Sequence, residues 1–487
     1  MRALMWFRQD LRVRDNTALL KACADADRGV VGVFAVTPRQ WRQEHDWGWP
    51  KADFTLRNAR ELSEALAKLN IALRVIETAD FSGVPEALRG LAAEHECGAL
   101  YFNREYEINE LERDEAVSDC FERDGLAVRS FTDLTLVEPG EVKTKEGRWY
   151  SVFTPFKKAV YERWADEGRP EPGGEPKKQA EMVGSPDEIP VTLDGFGGEP
   201  GFRADLWPAG ERAAMTRLDV FCSERIDDYK DKRDAPAING TSCISPYLAA
   251  GVVSPRQCLE KAMEANHGRY RNGGKGPDHW ISEILWREFY KHFVVGFPRV
   301  VRRQAFRTEY DRIRWETNGE GLEAWKQGRT GYPIVDAAMR QLNQTGWMHN
   351  RLRMIVAMFL SKDLFIDWRE GERYFARRLV DYDFASNNGG WQWSASTGAD
   401  AAPYFRIYNP VSQSQRHDPD GAFIRKFCPE LARLSGDALH DPGSLPPDGR
   451  KSLDYPAPIV DHARAREAAL AAFKALNDHG GKPVREI

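Results

Sequence analysis

The sequence predicts an N-terminal α/β domain with a doubly wound parallel sheet, followed by an all-α C-terminal domain. Over residues 1–130, short apolar runs alternate with helical patterns, which is typical of parallel strands joined by helices. Residues 168–210 are rich in proline and glycine, and beyond them helical spacing dominates while strand patterns nearly vanish. We therefore expect an α/β domain over 1–130, an interdomain linker over 131–210 and a helical domain over 211–487.

Individual elements follow from the same patterns. Apolar runs predict strands at 3–7, 30–36, 72–76 and 99–103, with helices at 17–24 and 54–69. In the second half, helical periodicity predicts helices at 280–295, 334–342, 351–360 and 370–379. The first strand is not followed by a GxGxxG motif, so an ordinary dinucleotide site is not expected.

Composition indicates a protein of the cytoplasm. No stretch approaches the roughly 18 apolar residues that cross a bilayer, and the N-terminus carries charges where a signal peptide needs an apolar run. The seven cysteines are scattered without a CxxC pair, and the ten histidines show neither HxH nor HxxxH spacing. We expect no membrane association, no disulfide framework and no metal site.

The charge distribution leaves nucleic-acid binding open. The net charge of −5 argues mildly against it, because binding phosphates needs a basic surface. The segment 287–314, however, carries eight basic and three acidic residues, which fits either a DNA-binding face or a solvated helix. The fifteen tryptophans are many for this length and indicate either core packing or aromatic ligands.

Five segments together resemble the photolyase/cryptochrome family. They are WFRQDLRVRDNTAL (6–19), GTSCISPYLAAGVVSPRQ (240–257), WISEILWREFYKH (280–292), GYPIVDAAMRQLNQTGWMHNRLRM (331–354) and DYDFASNNGGWQWSASTGADAAPYFRIYNP (381–410). The likeness is closest to class I cyclobutane pyrimidine dimer photolyases of the folate type. It implies non-covalent FAD in the helical domain, an antenna chromophore on the α/β domain, and light-driven repair of UV-damaged DNA by a carbon–carbon lyase.

The hydroxyl-rich segment before Pro246 is the first candidate cofactor site. Hydroxyl and backbone N–H groups near a helix start suit a pyrophosphate, although an ordinary helix N-cap has the same composition. The resemblance implies that this segment and its neighbours hold FAD, with Cys243 standing where relatives commonly have a basic residue. The residues concerned are Tyr229, Thr241, Ser242, Cys243, Ile244, Ser245 and Trp280.

The motif DYDFASNNGG is the second candidate cofactor site. Taken alone, its acids and amides could form a helix cap and a turn. The resemblance implies that Asp381, Tyr382 and Asp383 contact the flavin, with Arg353 as the salt-bridge partner of Asp381. Asn387 matches the position that faces flavin N5, where plant cryptochromes carry Asp and animal light-sensing types carry Cys, so it favours repair over signalling.

Two further sets of residues take their expected roles from the resemblance. Trp391, Trp368 and Trp315 match an electron-transfer chain from the surface to the flavin, although core packing is the ordinary role of tryptophan. The catalytic pocket for a flipped-out dimer would contain Glu283, Trp286, Asn350, Met354 and Trp393, together with Asn387. The (6-4) photolyases place a histidine pair where this chain has Asn350 and Met354.

Contacts to DNA and to the antenna complete the expectations. DNA would be held by Arg233, Arg287, Arg351, Arg406 and Gln413, besides Glu283, Trp286 and Asn350. In YEINE (106–110), Asn109 and Glu110 resemble the residues that hold 5,10-methenyltetrahydrofolate in folate-type photolyases, a pattern that deazaflavin-type relatives lack. The charged start of an ordinary helix could have the same composition. The resemblance places a histidine at position 44, where this chain has Glu44 followed by His45.

Two other functions remain open at this stage. A cryptochrome would share the fold without repair and usually has a C-terminal extension, whereas this chain ends soon after the expected helical domain. A general flavin oxidoreductase would need a substrate-specific acid or base and an NAD(P)H site, and neither is visible. We expect a monomer that binds UV-damaged DNA.

Overall fold

The N-terminal part contains a fully parallel sheet. The computed structural model describes residues 1–198 and 200–479, with side chains up to residue 476. The five strands lie in the order β3-β2-β1-β4-β5 and confirm the doubly wound fold. Their bounds are β1 Arg2–Phe7, β2 Val30–Val36, β3 Leu73–Glu77, β4 Cys97–Asn103 and β5 Ala127–Phe131, of which the last is an addition to the sequence-based expectation.

Strand β1 is the centre of this sheet and creates its ligand-binding edge. Met5 is paired with Gly32 of β2 on one side and with Tyr101 of β4 on the other. The chain therefore winds outward in both directions from β1, and a crevice opens at the carboxyl ends of the strands where the winding reverses. The segments that follow β1 and β4, including Arg8 and Glu105, meet at this crevice.

Helices cover the sheet and form the rest of the protein. Those of the α/β part are α1 Thr17–Asp25, α2 Trp49–Lys68, α3 Val84–Glu94 and α4 Ile108–Arg123. The described part of the segment 131–210 contains the α-helix α5 Phe153–Glu167 and a short 3₁₀ turn at Ala204–Leu206. The helical part contains α6 Glu211–Glu224, α7 Tyr229–Lys232, α8 Ser245–Ala249, α9 Pro255–Ala265, α10 Lys275–Gly296, α11 Gly319–Gln327, α12 Pro333–Thr345, α13 Asn350–Met358, α14 Trp368–Arg378, α15 Phe384–Ala395, α16 Pro410–His417, α17 Ala422–Phe427, α18 Asp437–His440, α19 Pro447–Lys451 and α20 His462–His479.

Two glycines allow the close packing of α10, α14 and α15. A side chain at Gly389 of α15 would collide with the ring of Tyr290 on α10, and one at Gly371 of α14 would collide with the indole of Trp391. Because neither glycine carries a Cβ, the aromatic rings fit directly against the neighbouring helix backbone. These three helices form the walls of the site described below.

A buried ion network joins the two parts of the chain. Asp133 accepts hydrogen bonds from Arg12 and, at 2.6 Å, from Nη2 of Arg256 on α9. Arg256 Nε also donates to Asp15 at 2.9 Å. Burial alone would raise the pKa of Asp133, but the charges of Arg12 and Arg256 outweigh it and lower the pKa to about 2. The opening motif of the sequence is therefore used to attach the sheet to the helical part.

Within the described residues, no helix is both long and apolar enough to span a bilayer. All seven cysteines are free thiols. No three His, Cys, Asp or Glu side chains of the described part are grouped so that they could hold a metal ion.

The ion network predicts a specific stability loss. Asp133→Asn should lower the free energy of unfolding by about 3–5 kcal/mol, because two buried arginines lose their shared counter-charge. The wild-type contribution should be complete above the ordinary Asp pKa of 3.8 and disappear as the pH falls towards 2. Urea denaturation at pH 7 and pH 3, followed by tryptophan fluorescence, measures both effects.

Asp205→Asn is the matched control. Asp205 pairs with Arg203 at 2.6 Å on the surface, where 63% of the Asp205 side chain is exposed, so solvent replaces the lost contact. Equal losses in the two variants would show that the Asp133 network adds nothing beyond a surface pair.

Candidate functional site

A cavity of about 490 Å³ lies between α10, α13, α14 and α15. We call it the central cavity. It brings together most of the residues singled out from the sequence, although these are up to about 160 positions apart along the chain. Its lining includes Arg233, Ser245, Glu283, Trp286, Arg287, Asn350, Arg351, Arg353, Met354, Asp381, Asp383, Asn387, Trp391 and Trp393.

Asp381 is the centre of a polar cluster on one side of the central cavity. Arg353 Nη2 donates to Asp381 Oδ2 at 2.7 Å, which is the ion pair expected from the sequence. Ser245 Oγ donates to the same oxygen at 2.7 Å, and Trp347 Nε1 donates to Ser245 Oγ at 3.3 Å. Ser245 therefore supports Asp381 and does not cap α8, which begins without a side-chain cap.

Asp383 is both a helix cap and a cavity residue. Its Oδ1 accepts the backbone N–H of Ser386 at 2.9 Å and so caps α15, while its Oδ2 lies 2.7 Å from Lys291 Nζ. Burial would raise the pKa of Asp383, but Lys291 and then Arg287 lower it well below its usual range. A permanent negative charge therefore lies at the cavity wall.

Among the described residues, the side chain of Asn387 is held through its amide nitrogen, and no group donates to its carbonyl oxygen. Its Nδ2 donates to the backbone oxygen of Glu372 at 3.1 Å, and this contact fixes the orientation of the amide. The Asn387 side chain lines the central cavity, so Oδ1 is the atom that can accept a hydrogen bond from a bound molecule.

The segment 241–245 lies beside the central cavity, and only Ser245 belongs to its lining. Cys243 has a φ of 49°, a left-handed conformation that sharply turns the chain before α8. Ser242 Oγ accepts a hydrogen bond from Trp280 Nε1 at 3.4 Å. Tyr229 is buried, and the Arg233 guanidinium lies 5.4 Å from the centre of its ring. Ile244 is also buried.

Two arginines of the central-cavity lining, Arg233 and Arg351, form pairs with acids. Arg233 donates a hydrogen bond to the carboxylate of Glu283 and also contacts Nε2 of His279. Arg351 Nη2 lies 2.8 Å from Asp234 Oδ2 and its Nη1 lies 3.7 Å from Met354 Sδ. Arg233 and Arg351, which the sequence suggested as phosphate contacts, therefore already have carboxylate partners.

Trp286 is held by an aromatic partner that the sequence did not reveal. The ring of Phe153, at the start of α5, stacks on the Trp286 ring with centroids 3.8 Å apart and planes 12° apart. One face of the indole is therefore covered and its orientation is set by the segment 131–210.

The three expected electron-transfer tryptophans lie at different depths. Trp391 lines the central cavity, and its Nε1 is buried without a hydrogen-bond partner among the described residues. Trp368 is fully buried, while Trp315 is half-buried against Phe365 at a centroid distance of 5.1 Å. Trp325, which the sequence did not single out, contacts Trp391 at 6.0 Å.

A second cavity of about 80 Å³ lies at the crevice between the sheet and the helical part. We call it the cleft; its lining includes His45, Glu107, Asn109, Glu110, Arg303, Glu372, Tyr382 and Asp383. His45 Nε2 lies 3.4 Å from Glu110 Oε1, so the one-residue offset from position 44 does not remove the histidine from this site. A π-helical turn at Gln40–Glu44 precedes it.

Burial makes this pair of side chains neutral near pH 7. It raises the pKa of Glu110 to about 8, with Glu107 and Glu105 adding to the effect. Burial, together with the nearby Arg113 charge, lowers the pKa of His45 to about 4. A third space, of only about 40 Å³, is lined by Trp41 and Trp47, whose stacked rings have centroids 5.0 Å apart.

Two suggested DNA contacts lie outside both cavities. Arg406 is exposed next to Phe405, which is 61% exposed, and Gln413 is on α16. The basic segment 287–314 is not a single basic face. Lys291 is buried, Arg299 pairs with Asp311 at 2.8 Å, and Arg303 pairs with Asp46 at 2.6 Å.

Sequence reasoning missed several residues that shape the central cavity or its wall, among them Tyr290, Lys291 and Trp347. Tyr290 and Lys291 lie within the quoted segment 280–292, and the i, i+4 spacing from Trp286 already places Tyr290 on the same helix face. Trp347 lies in the segment 331–354, but only the fold brings its indole to Ser245.

Comparisons with known proteins agree with this geometry. Residues 3–176 match the family described as DNA photolyase, and residues 280–475 match the FAD binding domain of DNA photolyase. A deoxyribodipyrimidine photo-lyase of Salmonella typhimurium is 45% identical over 97% of this chain and 98% of its own length.

Solved structures show the same fold over the whole chain. A bacterial class III photolyase from Agrobacterium tumefaciens superposes with a TM-score of 0.86 at 36% identity, covering 98% of each chain. A Synechocystis sp. PCC6803 cryptochrome superposes with a TM-score of 0.87 at 29% identity, covering 97% of this chain and 99% of the other.

The parallel sheet, the helical part and the polar cavity define a flavoprotein with two joined structural parts. The chain belongs to the DNA photolyase family.

Proposed function

We propose that this protein uses light to split cyclobutane pyrimidine dimers in UV-damaged DNA, by electron transfer from excited reduced FAD to a flipped-out dimer. One observation carries the proposal: residues expected at a flavin and residues expected at a dimer line the same cavity of about 490 Å³. The first group includes Asp381, Asp383 and Asn387, and the second includes Glu283, Trp286 and Trp393.

The donor and acceptor groups of the central cavity fit a reduced flavin. The free Oδ1 of Asn387 can accept from N5–H, which only the reduced or protonated ring carries. Asp381 and Asp383 offer carboxylate oxygens whose charges are balanced by Arg353 and Lys291. Phe375, Leu379 and Ala357 supply an apolar wall. Bound FAD would supply the photochemical electron, which no side chain here provides.

Other residues of the same lining suit a dimer that has left the duplex. Flipping costs a few kcal/mol, which stacking on flat rings offsets. Trp286 and Trp393 offer such rings, and the stack with Phe153 orients Trp286 in advance. Arg233 orients the Glu283 carboxylate, so this acid can bond the polar edge of a pyrimidine.

The choice of lesion is supported by two further side chains of the lining, Asn350 and Met354. Splitting a cyclobutane ring needs an electron that later returns, with no net redox change and no obligatory acid. Asn350 and Met354 offer a neutral amide and a thioether, and the (6-4) enzymes have histidines at these positions. His349 does not replace them, because it caps α13 through the N–H of Arg351.

For the antenna we propose 5,10-methenyltetrahydrofolate in the cleft. A pterin presents two adjacent N–H donors, which match a carboxylate such as Glu110, and Asn109 lies in the same lining. The raised pKa of Glu110 means that its charged form becomes favourable only when such donors arrive.

Repair itself is the decisive test. Purified protein with chemically reduced flavin should, under blue light, remove the cyclobutane dimer from an oligonucleotide and leave a (6-4) product of the same sequence unchanged. High-performance chromatography of the digested DNA measures both lesions. Loss of neither lesion would support a signalling cryptochrome, and efficient (6-4) repair would contradict the assignment of Asn350 and Met354.

Lesion recognition should depend on Trp286. Trp286→Ala should weaken binding to dimer-containing DNA by about 1–3 kcal/mol, because one base–aromatic stack is lost, with little effect on undamaged DNA. Arg406→Ala is the comparison variant: it should weaken binding to both DNAs similarly and reduce the salt dependence. Fluorescence anisotropy titrations decide this, and equal losses on both DNAs for Trp286→Ala would show that the indole only packs.

Photoreduction should depend on the tryptophan chain. Trp391→Phe, Trp368→Phe and Trp315→Phe should each block light-driven reduction of oxidised flavin, while repair by chemically reduced protein persists. Trp164→Phe, another buried indole, is the control and should photoreduce normally. Absorbance during illumination measures the reaction. Normal photoreduction in all three variants would show that these tryptophans only pack in the core.

The antenna assignment predicts a defined chromophore. Acid extraction followed by mass spectrometry should recover a methenyl folate, and Glu110→Ala should abolish its binding without abolishing repair. Glu107→Gln keeps the size of its side chain and provides a milder change in the same cleft. A deazaflavin mass, or full folate binding by Glu110→Ala, would overturn the assignment.

A further inference from the structure

Lys291 is a buried cation shared by two carboxylates. It lies in the middle of α10 with 1% of its surface exposed. Its Nζ is 2.6 Å from Glu107 Oε1 and 2.7 Å from Asp383 Oδ2. Burying an ammonium group is costly unless it is paired and hydrogen-bonded, and both conditions hold here.

The two carboxylates belong to different cavities. Glu107 lines the cleft, whereas Asp383 lines both the cleft and the central cavity. Lys291 therefore lies at the partition between them. Glu107 is the residue before α4, which carries Asn109 and Glu110, and Asp383 caps α15, which carries Asn387 and Trp391.

The charges around this cation keep the group ionised. Burial would lower the pKa of Lys291, but Asp383 and then Glu107 raise it above its usual value. The pKa of Asp383 is lowered by Lys291 and Arg287 against the effect of burial. Without Lys291, Asp383 would lose the first of the two charges that favour its ionised form.

We propose that Lys291 is a positioning residue for both cavities: one ammonium group sets the carboxylate of Asp383 towards the flavin and that of Glu107 towards the antenna. The inference rests on the proposed function for the identity of the two ligands. Its physical basis is that the cation joins the starts of the two helices that carry the ligand-facing side chains.

Lys291→Met removes the charge and keeps the length of the side chain. The holoprotein should then release FAD on dilution at least about tenfold more readily, and bind added 5,10-methenyltetrahydrofolate at least about tenfold more weakly, because a charge-assisted contact is lost on each side. The flavin midpoint potential should become more negative, because a positive charge near the ring favours the reduced form. Flavin fluorescence, absorbance titration and spectroelectrochemistry provide the three readouts.

Lys362→Met is the matched control. Lys362 is fully buried, its Nζ donates to Ser396 Oγ at 3.0 Å, and it belongs to the lining of neither cavity. This variant should lose stability but keep both affinities within about twofold of wild type, a difference near the limit of such measurements. Equal losses in the two variants would show that any buried lysine has the same general effect.

Lys291→Gln keeps hydrogen-bond donors without the charge and remains decisive if the Met variant does not fold. Unchanged affinity for either ligand, or an unchanged midpoint potential, in a folded Met or Gln variant would overturn the proposal. None of these readouts requires repair. Failure to split dimers would therefore contradict the proposed function alone, and intact affinities in the variants would contradict the role of Lys291 alone.

Discussion

The packing of α10 against α15 is the contact on which both cavities depend. Gly389 lets the ring of Tyr290 lie against the α15 backbone, and Lys291 Nζ reaches Asp383 at the start of α15, 2.7 Å away. On one helix lie Glu283, Trp286 and Arg287, and on the other lie Asn387, Trp391 and Trp393. Each helix contributes both polar and aromatic side chains, so two short stretches of chain supply charged groups and flat rings to the same cavity.

Many charged side chains of this protein pair with one another within the fold. The chain has 69 basic and 74 acidic residues, and many of its arginines are paired with buried acids. Arg12 and Arg256 hold Asp133, Arg353 holds Asp381, and Arg303 holds Asp46. A basic segment in the sequence is thus a poor guide to a nucleic-acid surface, because within 287–314 Lys291 is buried and Arg299 and Arg303 pair with acids of the fold.

The cleft and the central cavity have different physical characters. In the cleft, burial raises the pKa of Glu110 and lowers that of His45, whereas Lys291 and Arg287 lower the pKa of Asp383 in the central cavity. A wall that includes Asp383 separates the two spaces. Under the proposed function, this wall would separate the flavin from the antenna, and the charge of Lys291 lies within it.

The sequence by itself determined the class of the fold and most of the lining of the central cavity. Apolar runs of strand length gave β1 to β4, and helical periodicity gave α10, α12, α13 and α14, because these patterns reflect which face of a local element is buried. The motif around Asn387 was singled out through its resemblance to the photolyase/cryptochrome family, whereas its composition alone would have indicated only a helix cap and a turn.

Only the tertiary structure decided which side chains meet across long distances. The ammonium of Lys291 joins Glu107, 184 residues away, and the ring of Phe153 covers Trp286. Arg233 and Arg351, expected to face phosphates, are paired with Glu283 and Asp234. Periodicity describes one element at a time, whereas burial of a charge or a ring depends on the facing element. Pairings of that kind are settled when the elements pack.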